Sequence, residues 1–393
     1  METAVWSLVG LIAFVYLGYP LLIALIGLLR DYRPPSVIDT LPSLTLLIPA
    51  HNEAAVIAAK LENTLGLDYP AVLFEVVVIS DGSSDGTDDI VAGFARRDDR
   101  VKLIRQEPQA GKVAALERGL AESSGEIVCF SDANSAYDHE APRRLVAAFA
   151  DPTVGCACGR LILSGTERSG TAGGEGLYWR YEDFIKAAES RSGTMLMGAG
   201  TIYAARRELI PRVPPHRADD SIVPLSIAAA GRRVVWVPGA IARERTAAAA
   251  AEEFGRKVRM ISHDFGGYFY LKGCWNRPGV GLKLLFHKLL RWLVPVFYLA
   301  ALGLALPVAL GGSAPMIAVA AVLGGGLLWG ATAWWAMRRG WRPRSLITRS
   351  AALPGHFVMV NAAALAGIWR SLTVGSPATW KTAESAHGGL GDD

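Results

Sequence analysis

The sequence predicts a doubly wound α/β domain held between membrane-spanning helices. Three observations predict it: short β-branched runs alternating with helical stretches from Leu44 to Val237, polar glycine-rich sequences where those runs end, and long uncharged apolar runs near both chain ends. Of 393 residues, 51% are hydrophobic and 19% charged. Ordinary soluble domains carry about 25% charged residues, so the deficit places part of this chain in lipid. With 40 Lys+Arg against 36 Asp+Glu, the net charge of +4 is too small to mark a polyanion binder, and the apolar content excludes a disordered chain. Cys129, Cys156, Cys158 and Cys274 form no CxxC pair and no zinc-finger spacing, and read as thiols of a reducing compartment.

The first apolar run, Val5 to Leu29, contains no charge and exceeds the ~20 residues that cross a bilayer as helix. Its start, Met1-Glu2-Thr3, lacks the basic residues of a secretory signal, so it reads as a retained anchor. Arg30 and Arg33 follow it, and Lys283, Lys288 and Arg291 precede the next run. The positive-inside rule therefore puts everything between on the cytoplasmic side. Trp292 to Leu310 and Pro315 to Met337 form a hairpin around Gly311, Gly312 and Ser313. A last run, Ala351 to Ile368, is shorter and carries Pro354, His356 and Asn361, which leaves it open between a span and an in-plane or re-entrant helix. These boundaries divide the chain into an anchor (1–33), a central domain (40–275), a membrane region of two or three helices (276–374) and a polar tail (375–393).

Within the central domain, Leu44 to Ile48, Glu75 to Ile79, Val101 to Ile104, Ile127 to Phe130 and Val234 to Val237 read as strands. Runs apolar throughout are buried on both faces, as parallel strands are. Glu53 to Leu65, Asp88 to Arg97 and Lys112 to Glu122 have helix composition. Such βαβ order puts ligands at the carboxyl ends of the strands.

Those ends carry the chemistry. Strand one runs into Pro49-Ala50-His51-Asn52-Glu53, strand two into Ser80-Asp81-Gly82-Ser83-Ser84-Asp85-Gly86-Thr87, and the segment Gln109-Ala110-Gly111-Lys112 opens a helix. Glycines allow close backbone approach, carboxylates can hold a base or ribose, and an ammonium at a helix start attracts phosphate. Asp132 and Asn134 directly follow a buried strand, two residues apart, so both oxygens can face one hard cation. Asp219-Asp220 precede a helix, where one carboxylate can accept an acceptor's proton. Each loop taken alone equally suits a capped turn, and Arg256-Lys257-Val258-Arg259 equally suits a face against anionic lipid.

Taken in order, these sequences resemble the membrane-bound family 2 glycosyltransferases, which include bacterial cellulose, hyaluronan and poly-N-acetylglucosamine synthases. The resemblance implies a GT-A fold, an inverting reaction, a nucleotide-diphospho-sugar donor (usually a UDP-sugar) and a divalent cation, Mg2+ or Mn2+. It matches Pro49, Asn52, Glu53, Asp81 and Asp85 to nucleotide-lining positions and Lys112 to a lysine near the diphosphate. Asp132 matches the first carboxylate of the DxD motif, with Asn134 in place of the second. Asp220 matches the general base, with Asp219 beside it. The family's Gln-x-x-Arg-Trp reads Arg256-Lys257-Val258-Arg259-Met260 here: Arg259 is kept, but the tryptophan that stacks on acceptor sugar in processive synthases is absent. The implied protein lies in the cell membrane and glycosylates a lipid-linked or exported glycan acceptor, with export or assembly partners and no nucleic acid. A processive synthase, a non-catalytic nucleotide-sugar scaffold and a transporter with a regulatory domain are the competing readings.

Overall fold

A computed structural model describes residues 1–164, 172–245, 250–341 and 346–374. The polar tail expected from 375 onward lies outside the described residues. The centre is an eight-stranded sheet in the order β3-β2-β1-β4-β7-β6-β8-β5. β1 (Leu44–Ala50), β2 (Phe74–Asp81), β3 (Val101–Gln106) and β4 (Ile127–Phe130) are parallel, with β1 central between β2 and β4. Every residue of β1 and β4 is buried, as strands covered on both faces require. β1, β2 and β4 therefore deliver their carboxyl ends to one edge.

The other half of the sheet is mixed. β7 (Tyr203–Arg206) runs antiparallel to both β4 and β6 (Val154–Ser164), β8 (Arg233–Arg245) is parallel to β6, and β5 (Ser135–Tyr137) is antiparallel to β8. The sequence does not announce β6 and β7 because their residues are small, and the smallness is a packing requirement. A Cβ on Gly159 would stand 2.6 Å from the Ala240 carbonyl oxygen, where β8 presses on β6.

Helices α3 (Ile57–Leu65), α4 (Thr87–Ala95), α5 (Lys112–Ala121) and α6 (Ala141–Ala147) cover the sheet. Two hydrophobic clusters, one per face, are built on alternate residues of the same strands: Leu46, Ile48 and Val76 on one side, Leu47, Val77 and Ile79 on the other. α8 (Asp219–Ala229) starts at the acidic pair. α7 (Ala172–Arg191) and α9 (Ala250–Tyr270) join the domain to the terminal helices.

Those helices are α1 (Glu2–Ala13) and α2 (Tyr19–Arg30), joined by a π-turn; the short α10 (Lys272–Trp275) and α11 (Pro278–Lys283); α12 (Leu290–Leu310), α13 (Ala314–Arg338) and α14 (Leu346–Thr373). Four helical stretches among the described residues are long and apolar enough to cross a membrane: Glu2–Arg30, Pro278–Leu310, Ala314–Arg338 and Ala352–Thr373. The fourth continues beyond Ile368 to Thr373, and Pro354 and Gly355 lie inside the helix. Gly355 lies where a Cβ would meet the Met337 Cε at 2.5 Å, so its smallness lets α14 close against α13. α2 packs on α7 and α14 on α9.

The α7 contact is polar and buried. Glu182 takes Arg291, and His287 Nδ1 lies 2.9 Å from Glu189 Oε1. The Tyr19 hydroxyl donates to the same Glu189 oxygen at 2.6 Å. Burial pushes both carboxyls up, but the surrounding cations outweigh it and hold Glu182 well below, and Glu189 below, the usual range.

Candidate active site

At the shared edge the first two loops are tied to each other. Asn52 adopts a left-handed φ of 54°, which lets its Oδ1 accept the Ser84 amide at 2.9 Å while its own amide donates to Ser83 Oγ at 3.1 Å. Glu53 follows, buried, its amide donating to Thr87 Oγ1 at 2.9 Å. Asp85 accepts the Ala54 amide at 3.0 Å and the Thr87 hydroxyl at 2.6 Å. Burial raises its carboxyl, but these hydrogen bonds prevail and set it below the usual value. Asp85 thus serves as the turn clamp that its spacing before the helix allowed. Pro49 is buried at the end of β1, in register with Ile79.

Asp81 is fully buried and positions the next element. Its Oδ1 accepts Gln106 Nε2 at 2.7 Å and the Ala110 amide at 2.8 Å; its Oδ2 accepts the Gly111 amide at 2.8 Å. Gly111, at φ 101°, then turns the chain so that Lys112 opens α5 facing β4.

Lys112 is where the site converges. Its Nζ lies 2.8 Å from Asp132 Oδ1 and 3.6 Å from Asp219 Oδ1. Burial disfavours the charged ammonium, but Asp132 and Asp219 overcome this and raise its pKa. Asp219 is held from behind by the buried Tyr203 hydroxyl at 2.9 Å, and Tyr203 stacks on Phe130 at 4.4 Å between centroids. Asp220, half-buried, is pushed up to about 8 by burial, then by Asp219 and by Asp264 of α9. Gly200 gives it room, since a Cβ there would come within 3.2 Å of Asp220 Oδ2.

Asn134 donates through Nδ2 to Glu244 Oε1 at 3.2 Å. Glu244 is pushed up to about 7 by burial and by the charge of Asp132. Asp264 is pushed up to about 6 by burial, and accepts the Ser221 hydroxyl at 2.6 Å. Beneath the turn, Lys60 has no exposed surface and donates to Ser131 Oγ at 2.6 Å and to the Ser135 carbonyl at 2.7 Å. Burial lowers its pKa to about 7. It fixes the turn that aims Asp132 and Asn134.

Asp132, Asn134, Lys112, Asp219 and Asp220 are therefore brought together, while Pro49, Asn52, Glu53, Asp81 and Asp85 form the neighbouring loop framework. Arg259 is exposed on α9, with Arg256 and Arg370 as charged neighbours that lower its pKa after burial. Glu244, Asp264 and Lys60 escape a reading of the sequence. Glu244 ends a strand with no motif around it, Asp264 sits mid-helix, and a lone lysine in α3 looks like surface.

Among the described residues no three acidic, His or Cys side chains form a metal cluster by themselves. The donor chemistry nonetheless fits a hard divalent cation: Asp132, Asn134 and Glu244 can each offer an oxygen ligand, and Asn134 and Glu244 lie within hydrogen-bonding distance of each other.

The family described as Glycosyl transferase family 2 matches residues 45–213. Over 109 residues the chain is 40% identical to the probable glycosyltransferase YdaM of Bacillus subtilis, covering 27% of this chain and 26% of that protein. Over 132 residues it is 34% identical to a beta-monoglucosyldiacylglycerol synthase of Trichormus variabilis, covering 33% and 28%. Over 128 residues it is 32% identical to a poly-beta-1,6-N-acetyl-D-glucosamine synthase of Staphylococcus aureus, covering 32% and 30%. The matches thus span less than a third of each relative. The fold is shared more widely: a mannosyltransferase of Pyrobaculum calidifontis, solved with GDP-Man and Mn2+, superimposes with a TM-score of 0.69 over 94% of this chain and 99% of its own, at 23% identity.

Proposed function

We propose, from the match of residues 45–213 to the family described as Glycosyl transferase family 2, a membrane-embedded inverting transferase that moves sugar from a nucleotide-diphospho-sugar to a lipid-linked or growing glycan acceptor. The observation that carries the proposal is the convergence of Lys112, Asp132 and Asp219 at 2.8 and 3.6 Å beside Asp220. In this reading the nucleoside lies over the Asn52–Asp85 framework and its diphosphate reaches Lys112. Lys112, with Arg259 from α9, balances charge on the departing diphosphate. Asp132, Asn134 and Glu244 would hold a divalent cation, which would supply further compensation of that charge. Asp220 takes the proton of the acceptor hydroxyl as its oxygen attacks the anomeric carbon. A pKa pushed up to about 8 makes it a stronger base than an ordinary carboxylate, and added positive charge brings it back toward ionisation near neutral pH.

The four apolar helices support embedding in the cell membrane, and the basic residues at their feet support a cytoplasmic domain. Met260, 46% exposed on α9, offers no ring to stack on a sugar, which favours one or a few additions over long-chain synthesis. The test is a screen of UDP-, GDP- and ADP-sugars for nucleotide release in membranes, repeated with Asp220→Asn. We expect turnover to fall by roughly 10²-fold or more with donor affinity unchanged. A wild-type rate, or a loss traced to weaker nucleotide binding, would return Asp220 to a helix cap.

A further inference from the structure

A second cavity, of about 1050 Å³, lies between α2, α11, the end of α7 and the starts of β6 and β8. It is remote from the site above. Val154 pairs with Arg233 at the start of β6 and β8, and through antiparallel β7 this edge is the one where β4 begins, whereas Asp132 follows the end of β4. The first apolar stretch ends at Arg30 and the second begins at Pro278, so the cavity sits where two candidate spans meet one membrane face.

Its walls divide by chemistry. Leu22, Ile23, Ile26, Leu282 and Phe286 line the side facing the apolar helices, with Leu22 46% and Leu282 53% exposed. Arg30, Arg232, Arg233, Arg277 and Lys283 line the other. Each cation is steadied by neutral groups: Arg30 on the Ser192 carbonyl at 2.9 Å, Arg232 on the Pro152 carbonyl at 3.0 Å, Arg233 on the Gly193 carbonyl at 3.0 Å, Arg277 on the Ala229 carbonyl at 2.6 Å and Lys283 on Ser192 Oγ at 2.7 Å. Among the described residues none of the five forms a salt bridge with a carboxylate. A guanidinium has five donors, and these bonds leave several on each arginine for another acceptor. Lys283 has Glu189 and Arg233 has Asp151 as a nearby opposite charge, but the cations on this wall outnumber those carboxylates beside exposed aliphatic side chains, and one molecule that is anionic at one end and aliphatic at the other satisfies both walls.

We propose that this cavity binds an anionic phospholipid, its phosphate among Arg30, Arg232, Arg233 and Arg277 and its acyl chains along Leu22, Ile26 and Leu282. The lipid stitches the ends of α2 and α11 to the non-catalytic edge of the sheet. This site stands independently of the transfer reaction.

The test is native mass spectrometry of the full-length protein in detergent with phosphatidylglycerol or phosphatidylcholine of identical chains. We expect phosphatidylglycerol to be retained roughly tenfold or more over phosphatidylcholine. Arg232→Gln with Arg277→Gln should remove the preference, and Arg232→Lys with Arg277→Lys should restore most of it. Leu282→Trp, which fills the aliphatic end and leaves every cation in place, should also reduce retention. Thermal melting in phosphatidylcholine confirms that each variant is folded. Equal retention of the two lipids by the wild type, or an unchanged preference in the folded Arg→Gln variant, would overturn the proposal. So would equal thermal stabilisation by millimolar inorganic phosphate alone, which would make this a free-anion site.

Discussion

Two groups of carboxylates are withdrawn from water in this molecule, one fully buried and one half-buried, and their environments are opposite. Glu182 and Glu189 on α7 are surrounded by Arg291, Lys288, His287 and Lys283, and are held below the usual carboxylate range despite burial. Asp220, Glu244 and Asp264 gather around Asp132 and Asp219, opposed chiefly by Lys112, Arg256 and Lys288 respectively, and are pushed up to about 8, 7 and 6. The first group carries its counter-charges within the fold and fastens the domain to its helices. In the second, burial and like charges outweigh the nearby cations, which is the balance the proposed function calls for. Burial is common to both, so burial by itself does not identify the reactive group. The balance of charge does.

The largest expected effect is at the acidic edge. Asp132→Ala removes the partner of Lys112 and an oxygen ligand together, and should reduce transfer by roughly 10³-fold. Chelator-resistant turnover at the wild-type rate in that variant would break the contrast, because Asp132 would then be structural. Next comes the dock. Glu182→Gln strands Arg291 and Lys288 in a buried setting, and should destabilise the protein by about 3–5 kcal/mol, read from thermal unfolding in detergent. A change within error would mean that the pairing contributes no net stability.

A third expectation uses the sign of the shifts. A carboxyl raised in the folded state binds its proton there more tightly than in the unfolded chain, so its contribution is present at low pH and lost as pH rises from about 4 toward the folded values of about 6 to 8. The depressed Glu182 and Glu189 act oppositely: their contribution is present above about pH 4.5 and lost as pH falls below it. Without added metal, stability should therefore decline between about pH 4.5 and 8. Asp220→Asn should flatten that decline, and Mn2+ should reduce it. A decline unaffected by either would assign it to other groups.

The smallest effect is expected at Asn134. Its amide donates to Glu244, a bond that a carboxylate at the same place would replace with repulsion. Asn134→Asp should lower the divalent cation concentration needed for half-maximal activity severalfold while reducing metal-free stability by roughly 1 kcal/mol. Enzyme titrations with Mn2+ and melting curves without it check the two halves separately.

The sequence by itself determined the parts whose cause is local. Apolar β-branched runs placed β1 to β4 within a few residues, and the charge-free stretches marked the terminal helices. Polar residues directly after strands marked Asp132 and Asn134, because parallel strands all release the chain at the same edge of the sheet. The same local chemistry left the helix-starting acids Asp219 and Asp220 open between cap and site. What the tertiary structure adds is their surroundings, with Lys112 3.6 Å from Asp219 and Asp264 near Asp220, which supports the site reading proposed above. It alone brought Glu244 to Asn134 across 110 positions, Lys60 beneath Ser131 across 71 and Arg291 to Glu182 across 109. The physical reason is that a strand or a helix is specified by neighbours within a turn or a pleat. The charge state of a carboxylate is instead set by whatever lies within a few ångströms of it, and chain order does not record those neighbours.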